Sequence, residues 1–251
     1  MANNRLEKIL DLLNENEYLT YNDLSKELNA ATITVRRDVD VLEKEGKIIK
    51  IKGGSIIIND YRKYKNETDY LRKKTICKFA ADFINNGDSL IIDIGTTTKQ
   101  IVPFLRNKKN LTIFTQSLEI AHEIYLLDNN SINVISVGGL LDYKLGVFFS
   151  EQSSKAMSEY SFDKGFLSCS GITIEEGVTN FTLPIYIHKN IILNNSRECY
   201  FLIDSSKFRK VSLAKVCSIE KVKNIITDSN IDKKVALEFK KIVPNFYIAN
   251  S

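Results

Sequence analysis

Leu6, Ile9, Leu10 and Leu13 recur at i, i+3, i+4 and i+7, so the chain opens on a predicted helix with one apolar face. A second helix is predicted over residues 21–28. Leu24 and Leu28 form its buried stripe, Thr20 is its N-cap, and Asp23 is a shortened capping-box partner. Asn29-Ala30-Ala31 then breaks the pattern, with Asn29 suited to the left-handed conformation of a tight turn. From about residue 32 to 45, Val35, Val39 and Leu42 share one face, while Thr32, Thr34, Arg36 and Arg37 lie off it. Residues 47–58 read as two β-rich arms flanking Gly53-Gly54, the pair that a two-residue hairpin turn accepts without steric cost.

Two short helices joined by a turn, followed by a lysine-bearing hairpin, have the order of a winged helix-turn-helix. In that geometry the second helix enters the major groove of double-stranded DNA and the wing touches the backbone. The candidate contacts are Thr32, Thr34, Arg36 and Arg37 on the helix and Lys50 and Lys52 on the wing. The alternative is a three-helix protein-interaction module whose basic side chains only keep a face solvated.

Residues 60–74 are polar, with three tyrosines, six basic and three acidic side chains. They predict a linker and the start of a helix that continues through Ile76, Phe79, Ala80 and Phe83. Interleaved Tyr and Lys also suit a segment that follows a nucleic-acid backbone. Beyond it the pattern alternates. Strand-like runs at 89–93, 111–115, 132–137, 165–168, 199–204, 224–227 and 246–249 are separated by helical stretches such as 118–127, 151–159 and 185–193. Such βα repetition predicts an α/β domain with a parallel sheet, whose ligand sits beyond the carboxyl ends of the strands. The expected organisation is a DNA-binding domain over 1–58, a linker over 59–74 and a Rossmann-like effector domain over 75–251.

Four of those strand ends carry residues suited to an anion. Asp93-Ile94-Gly95-Thr96-Thr97-Thr98 pairs a close-approach glycine with hydroxyls ahead of a predicted helix N-terminus. Thr115-Gln116-Ser117 ends the second strand, Gly138-Gly139 the third, and Asp204-Ser205-Ser206-Lys207 a later one. Together they read as a phosphate site of backbone amides, hydroxyls and one lysine.

Composition narrows this little. At ~150 residues per domain, 251 residues allow one large domain or a small one joined to a medium one. Hydrophobic residues at 43% and charged residues at 26% are those of a globular chain, not a disordered one. No apolar run approaches the ~18 residues that cross a bilayer, and residues 1–16 do not resemble a secretion signal, so no membrane role and a cytoplasmic address are expected. The net charge, 35 − 31 = +4, is too small to announce a nucleic-acid partner. Its placement says more: residues 1–35 hold three basic against six acidic side chains, but 44–52 hold Lys44, Lys47, Lys50 and Lys52 against Glu45 alone. Cys77, Cys169, Cys199 and Cys217 form no C-x-x-C pair, and His122 and His188 lack companions at metal-ligand spacing. Reduced structural thiols, no metal and no cofactor are expected.

Thr34-Val35-Arg36-Arg37-Asp38-Val39, then Leu42-Glu43 and Lys52-Gly53-Gly54-Ser55, resemble the N-terminal signature of DeoR-type bacterial transcriptional regulators. The second half is similar to the effector domain of the same family, which shares its fold with ribose-5-phosphate isomerase and glucosamine-6-phosphate deaminase relatives. The matching elements are residues 93–97, 115–117, Gly138-Gly139, the stretch 166–171 with Ser168 and Gly171, and 204–208. Ala31 stands where the family usually has serine, Gln116 where asparagine is common, Asp142 where arginine or asparagine is usual, and Ser150 where glycine is. Ser168-Cys169-Ser170 replaces a run richer in glycine and alanine. An inward-pointing Asp142 would repel a phosphate, with Lys144 as the available counter-charge.

The resemblance implies a homo-oligomeric repressor, dimer or tetramer, of a sugar-metabolism operon, with operator affinity set by a phosphorylated sugar. A sugar-phosphate isomerase or deaminase with an accessory domain is the enzymatic alternative; it needs a carboxylate base, for which Asp93, Asp163 and Asp204 are the candidates. A regulator sensing a nucleoside phosphate or a partner protein is the third.

Overall fold

The computed structural model describes residues 2–16, 19–45, 47–51, 55–58, 67–181 and 183–250. They form two compact units, Met1–Lys65 and Asn66–Ser251.

In the first unit, α1 (Ala2–Glu15) is followed by β1 (Leu19–Thr20), α2 (Tyr21–Glu27), α3 (Thr32–Lys44), β2 (Ile48–Ile51) and β3 (Ser55–Ile58). Ile9, Leu13, Leu24, Val35, Val39, Leu42 and Ile48 close its core, with Leu6, Leu10 and Leu28 packed against it. The Thr20 hydroxyl accepts from Asp23 N at 3.2 Å and the Asp23 carboxylate accepts from Thr20 N at 2.9 Å, which completes the capping box. Asn29 takes φ +46°, turning the chain into α3. The two arms of the hairpin pair antiparallel, and β1 adds a third strand beside β3 that the pattern did not reveal. The register sets Ile51 opposite Ser55. The turn expected at Gly53-Gly54 lies outside the described residues.

The second unit runs α4 (Glu67–Ala81), β4 (Ser89–Ile92), a 3₁₀ helix (Thr98–Leu105), β5 (Leu111–Phe114), α5 (Leu118–Tyr125), β6 (Ile132–Ile135), β7 (Leu140–Asp142), β8 (Val147–Phe149), α6 (Glu151–Ser158) and β9 (Phe162–Leu167). It continues with β10 (Gly171–Thr173), β11 (Gly177–Asn180), α7 (Leu183–Asn195), β12 (Ser196–Leu202), β13 (Ala214–Cys217), β14 (Asn224–Asp228), α8 (Lys233–Lys240) and β15 (Asn245–Ala249). Seven strands form one parallel sheet in the order β15-β14-β12-β9-β4-β5-β6. Alternation along β4 divides the core: Leu90 and Ile92 join the cluster under α4 and α5, while Ile91 joins the one that holds Met157 of α6, Ile192 of α7 and Phe239 of α8. Two additions were not anticipated: the β7–β8 hairpin and a small antiparallel sheet, β10-β11-β13. The segment after Thr97 is a 3₁₀ helix instead of the expected α-helix, with Pro103 inside it. Proline has no N–H to give an α-helical ladder.

Candidate functional site

On α3, Val35, Asp38, Val39 and Leu42 point inward. Ile33, Arg36, Arg37 and Asp40 are exposed, and Thr32 and Thr34 are half-buried. The Arg-Arg-Asp motif divides its labour. Asp38 is buried and takes a two-pronged ion pair from Arg5, with Nη2 donating to Oδ1 at 3.0 Å and Nε to Oδ2, which ties α3 to α1. The Arg36 guanidinium lies 4.8 Å from the centre of the Tyr21 ring, a cation–π contact that holds it beside α2. Ala31 is the N-cap of α3 and provides no side-chain hydrogen bond. Thr32 does not replace the missing cap; its hydroxyl reaches Ser25 Oγ at 3.4 Å. Lys50 pairs with Asp40 and, at 2.7 Å, with Glu43. These carboxylates raise its pKa and hold the wing against α3. Lys52 lies outside the described residues.

In the sheet, β4 leads to β5 and β6 on one side, while β9, β12, β14 and β15 extend on the other. The strand order therefore reverses between β4 and β9, and such a switch point opens a crevice at the carboxyl ends. The candidates follow the strands β12, β9, β4, β5 and β6, five neighbours in that spatial order. After β4, Asp93 is buried and the Lys189 ammonium of α7 donates to it and, at 2.5 Å, to the Ser168 carbonyl oxygen after β9. Burial pushes the Asp93 carboxyl above its ordinary range, against the pull of Lys189. Gly95 faces Ser168 so closely that a Cβ there would come within 2.5 Å of its hydroxyl.

The three threonines differ. Thr96 receives a hydrogen bond at 2.9 Å from Lys73 of α4, itself paired with Asp69 at 2.8 Å. Thr97 is buried, and its carbonyl accepts from the Cys77 thiol at 3.0 Å. Thr98 turns its hydroxyl back to the Asp93 carbonyl at 2.7 Å. Thr96 is therefore the threonine that faces a cation.

Thr115 donates to the Ile92 carbonyl at 2.9 Å, and Ser117 caps α5 by accepting from Ile120 N at 3.3 Å. Gln116 links the next strand end, with Nε2 to the Gly138 carbonyl at 3.4 Å and Oε1 accepting from Ser136 at 3.0 Å. Gly139 has φ +124° and sits against Ser150 and Ser153, so a side chain there is strained on both counts. Ser150 and Ser153 form the capping box of α6. The Asp142 carboxylate accepts from Lys144 N at 2.9 Å and Leu145 N at 3.0 Å, closing the β7–β8 turn. It serves the hairpin, and Lys144 contributes its backbone N–H there.

Lys207 is buried 3.9 Å from the Asp204 carboxylate. Burial, aided by Lys210, pushes it down to about 7. Gly171 begins β10, where a Cβ would strike the Lys210 carbonyl, so close packing demands the glycine.

Lys189, His188 and Lys73 were missed by the sequence reading. A signal existed: Ile185, His188, Lys189 and Ile192 fall at i, i+3, i+4 and i+7, and all four are buried. Charge on the core face of a helix needs a partner or a ligand. His188 packs against Phe149, the rings tilted by 52° with centroids 5.2 Å apart, and its Nε2 finds no hydrogen-bond partner among the described residues. Burial, with Lys189 adjacent, lowers it to about 4, so the imidazole is neutral at physiological pH.

Asp163 is at the amino end of β9, accepting from Ser89 N at 2.9 Å and Ser89 Oγ at 2.7 Å, away from the crevice. No helix among the described residues is long and apolar enough to cross a membrane.

A DeoR-like helix-turn-helix domain matches residues 5–60, and a DeoR C terminal sensor domain matches residues 68–229. The HTH-type transcriptional regulator GolR of Listeria innocua is 29% identical over 241 residues, covering 94% of each chain. The lactose phosphotransferase system repressor of Staphylococcus epidermidis is 30% identical, over 93% of this chain and 95% of its own. Among solved structures, ribose 5 phosphate isomerase A from Neisseria gonorrhoeae aligns with 57% of this chain and 54% of its own at 14% identity and a TM-score of 0.41. With its two halves matched in order and relatives aligned over nearly their whole length, this chain belongs to the DeoR family of transcriptional regulators.

Proposed function

We propose that this protein is a repressor of a sugar-metabolism operon whose grip on its operator is set by a phosphorylated sugar bound at the switch point of the sensor sheet. The observation that carries this reading is the meeting of Asp93, Gly95, Thr96 and Ser168 with buried Lys73 and Lys189 at neighbouring strand ends. Each of these lysines is paired with an aspartate. An arriving phosphate competes with those carboxylates for the ammonium groups, and Thr96, held by Lys73, couples the loop to α4. That helix begins at Glu67, directly after the chain leaves the first unit. Ligand and operator must favour different arrangements for the coupling to work, typically by ~1–3 kcal/mol. The active species is a homo-oligomer, because paired recognition helices occupy two half-sites.

The enzymatic reading is disfavoured by where the acids stand. Asp163 is at the wrong end of the sheet, Asp93 is held by Lys189, and Asp204 caps the turn at Ser206 with a 3.0 Å hydrogen bond. A regulator without turnover is the reading they support.

The test is a thermal-shift series on the full chain with matched pairs of sugars, phosphorylated and not, and with nucleoside phosphates. A ligand at 100 times its Kd stabilises by ~2.7 kcal/mol. Stabilisation by one phosphosugar but not its unphosphorylated partner supports the reading. Stabilisation by a nucleotide alone replaces the effector, and consumption of a phosphosugar reinstates the enzyme.

A further inference from the structure

Ile33 is 66% exposed in the first turn of α3. It leads the outward stripe Ile33, Arg36, Arg37 and Asp40, spaced i, i+3, i+4 and i+7. All four side chains point away from the core face formed by Val35, Asp38, Val39 and Leu42. A β-branched apolar residue gains nothing there from packing and is a weaker helix former than alanine. Water is a poor environment for it, and two guanidinium groups lie within a helical turn on the same face. A duplex suits both an apolar tip and two flanking cations. Its backbone is anionic, and the only apolar feature on the floor of its major groove is the C5-methyl of thymine. The acid on the stripe does not oppose this, because Lys50 holds Asp40.

We infer that Ile33 is a specificity-determining residue that reads one thymine methyl in each operator half-site. This rests on the DNA-binding reading above and extends it from the fold to a base. Arg36, braced on Tyr21, and Arg37 supply the polar contacts on either side. Thymine differs from uracil only by that methyl group, so uracil, which pairs identically, is the diagnostic replacement.

The experiment uses the full chain. Duplexes are selected from a random pool at low ionic strength, and each thymine of the selected site is then replaced in turn by uracil. Binding is read by fluorescence anisotropy for the wild type and for Ile33→Ala, which removes an exposed group and leaves the core intact. At one thymine per half-site, uracil should weaken wild-type binding about fourfold, the value of one methyl withdrawn from water. Ile33→Ala should bind the thymine and uracil sites equally. Wild-type indifference to uracil at every position, or an Ile33→Ala variant that keeps the fourfold loss, overturns the inference. A pool that yields no enriched duplex and no binding overturns the DNA-binding reading itself.

Discussion

The Lys189 ammonium and the Asp93 carboxylate form a buried ion pair across the point where the strand order of the sensor sheet reverses. The same ammonium donates to the Ser168 carbonyl oxygen, so one side chain from α7 binds the ends of both strands that flank the crevice. A buried pair of this kind is weak evidence for stability by itself, but breaking it leaves a charge without compensation. On the proposed reading, an anion that reaches the switch point competes with Asp93 for that ammonium.

Lys189→Met should cost the sensor unit about 3–5 kcal/mol, because Asp93 is left buried alone. Asp93→Asn combined with Lys189→Met should recover much of that loss. Urea unfolding followed by circular dichroism checks this, with the two units fitted as separate transitions. Equal losses in the single and double variants would show that the pair is not coupled.

Capping provides a prediction of gain. Ala31 occupies the N-cap of α3 with no side-chain hydrogen bond, whereas Thr20 caps α2 with a complete box. Ala31→Ser should stabilise the first unit by about 1 kcal/mol, and Thr20→Ala should destabilise it by about as much. Thermal unfolding of the two variants beside the wild type measures both, and an Ala31→Ser protein no more stable than wild type would mean that the turn already satisfies those N–H groups.

Two glycines separate packing from ligand contact. Gly171→Ala forces a Cβ into the Lys210 carbonyl and should cost about 1–3 kcal/mol through backbone displacement. Gly95→Ala meets only the hydroxyls of Ser168 and Thr98 within 3.4 Å, groups that rotate away, so the fold should survive with a loss of about 1 kcal/mol or less. The Gly95 variant should bind DNA as the wild type does yet fail to respond to the phosphosugar. Anisotropy with and without ligand distinguishes the two outcomes; a Gly95→Ala protein that responds normally would remove this loop from the site.

Lys207 predicts a pH dependence. Its ammonium is lowered to about 7, and a bound phosphate dianion would favour the charged form. Binding above pH 7 then takes up a proton. The second ionisation of a phosphate group, near 6, is already complete there. Affinity should fall as pH rises from 7 to 9, with a limiting slope of about tenfold per pH unit. Lys207→Arg, charged throughout, should flatten it. Isothermal titration at several pH values gives the slope, and a flat wild-type profile would place Lys207 outside the contact.

Much of this was legible in the residues. The Leu6–Leu13 spacing, the Thr20–Asp23 cap and Asn29 specified the first unit, because each acts over a few residues of chain. The parallel strands were legible for the same reason: their apolar runs are bounded by turn residues such as Gly95 and Gly138. The β7–β8 hairpin was not, since its strands have only three residues, nor was the β10-β11-β13 sheet, whose strands Gly171–Thr173, Gly177–Asn180 and Ala214–Cys217 carry one Val or Ile each where β4, β5 and β6 carry three large apolar side chains. Lys189 was overlooked because it lies among Ile185, Ile191 and Ile192, where only its position on the buried face distinguishes it. Asp142 was expected to repel a phosphate only if it pointed inward; it closes a turn, a role that depends on a hairpin the pattern did not reveal. Lys50 was expected on a DNA phosphate; with Asp40 and Glu43 already holding it, contact with the backbone requires exchange of those partners.

The central claim is that a phosphorylated sugar in the sensor unit changes how tightly the first unit holds a duplex. Its most direct test is the Kd for a selected duplex at fixed ionic strength, measured by anisotropy across a panel of phosphorylated sugars and their unphosphorylated counterparts. One phosphosugar should shift that Kd by about 5–150-fold while its dephosphorylated partner leaves it unchanged. A duplex affinity that no phosphosugar alters, in a protein that demonstrably binds one, would contradict the account.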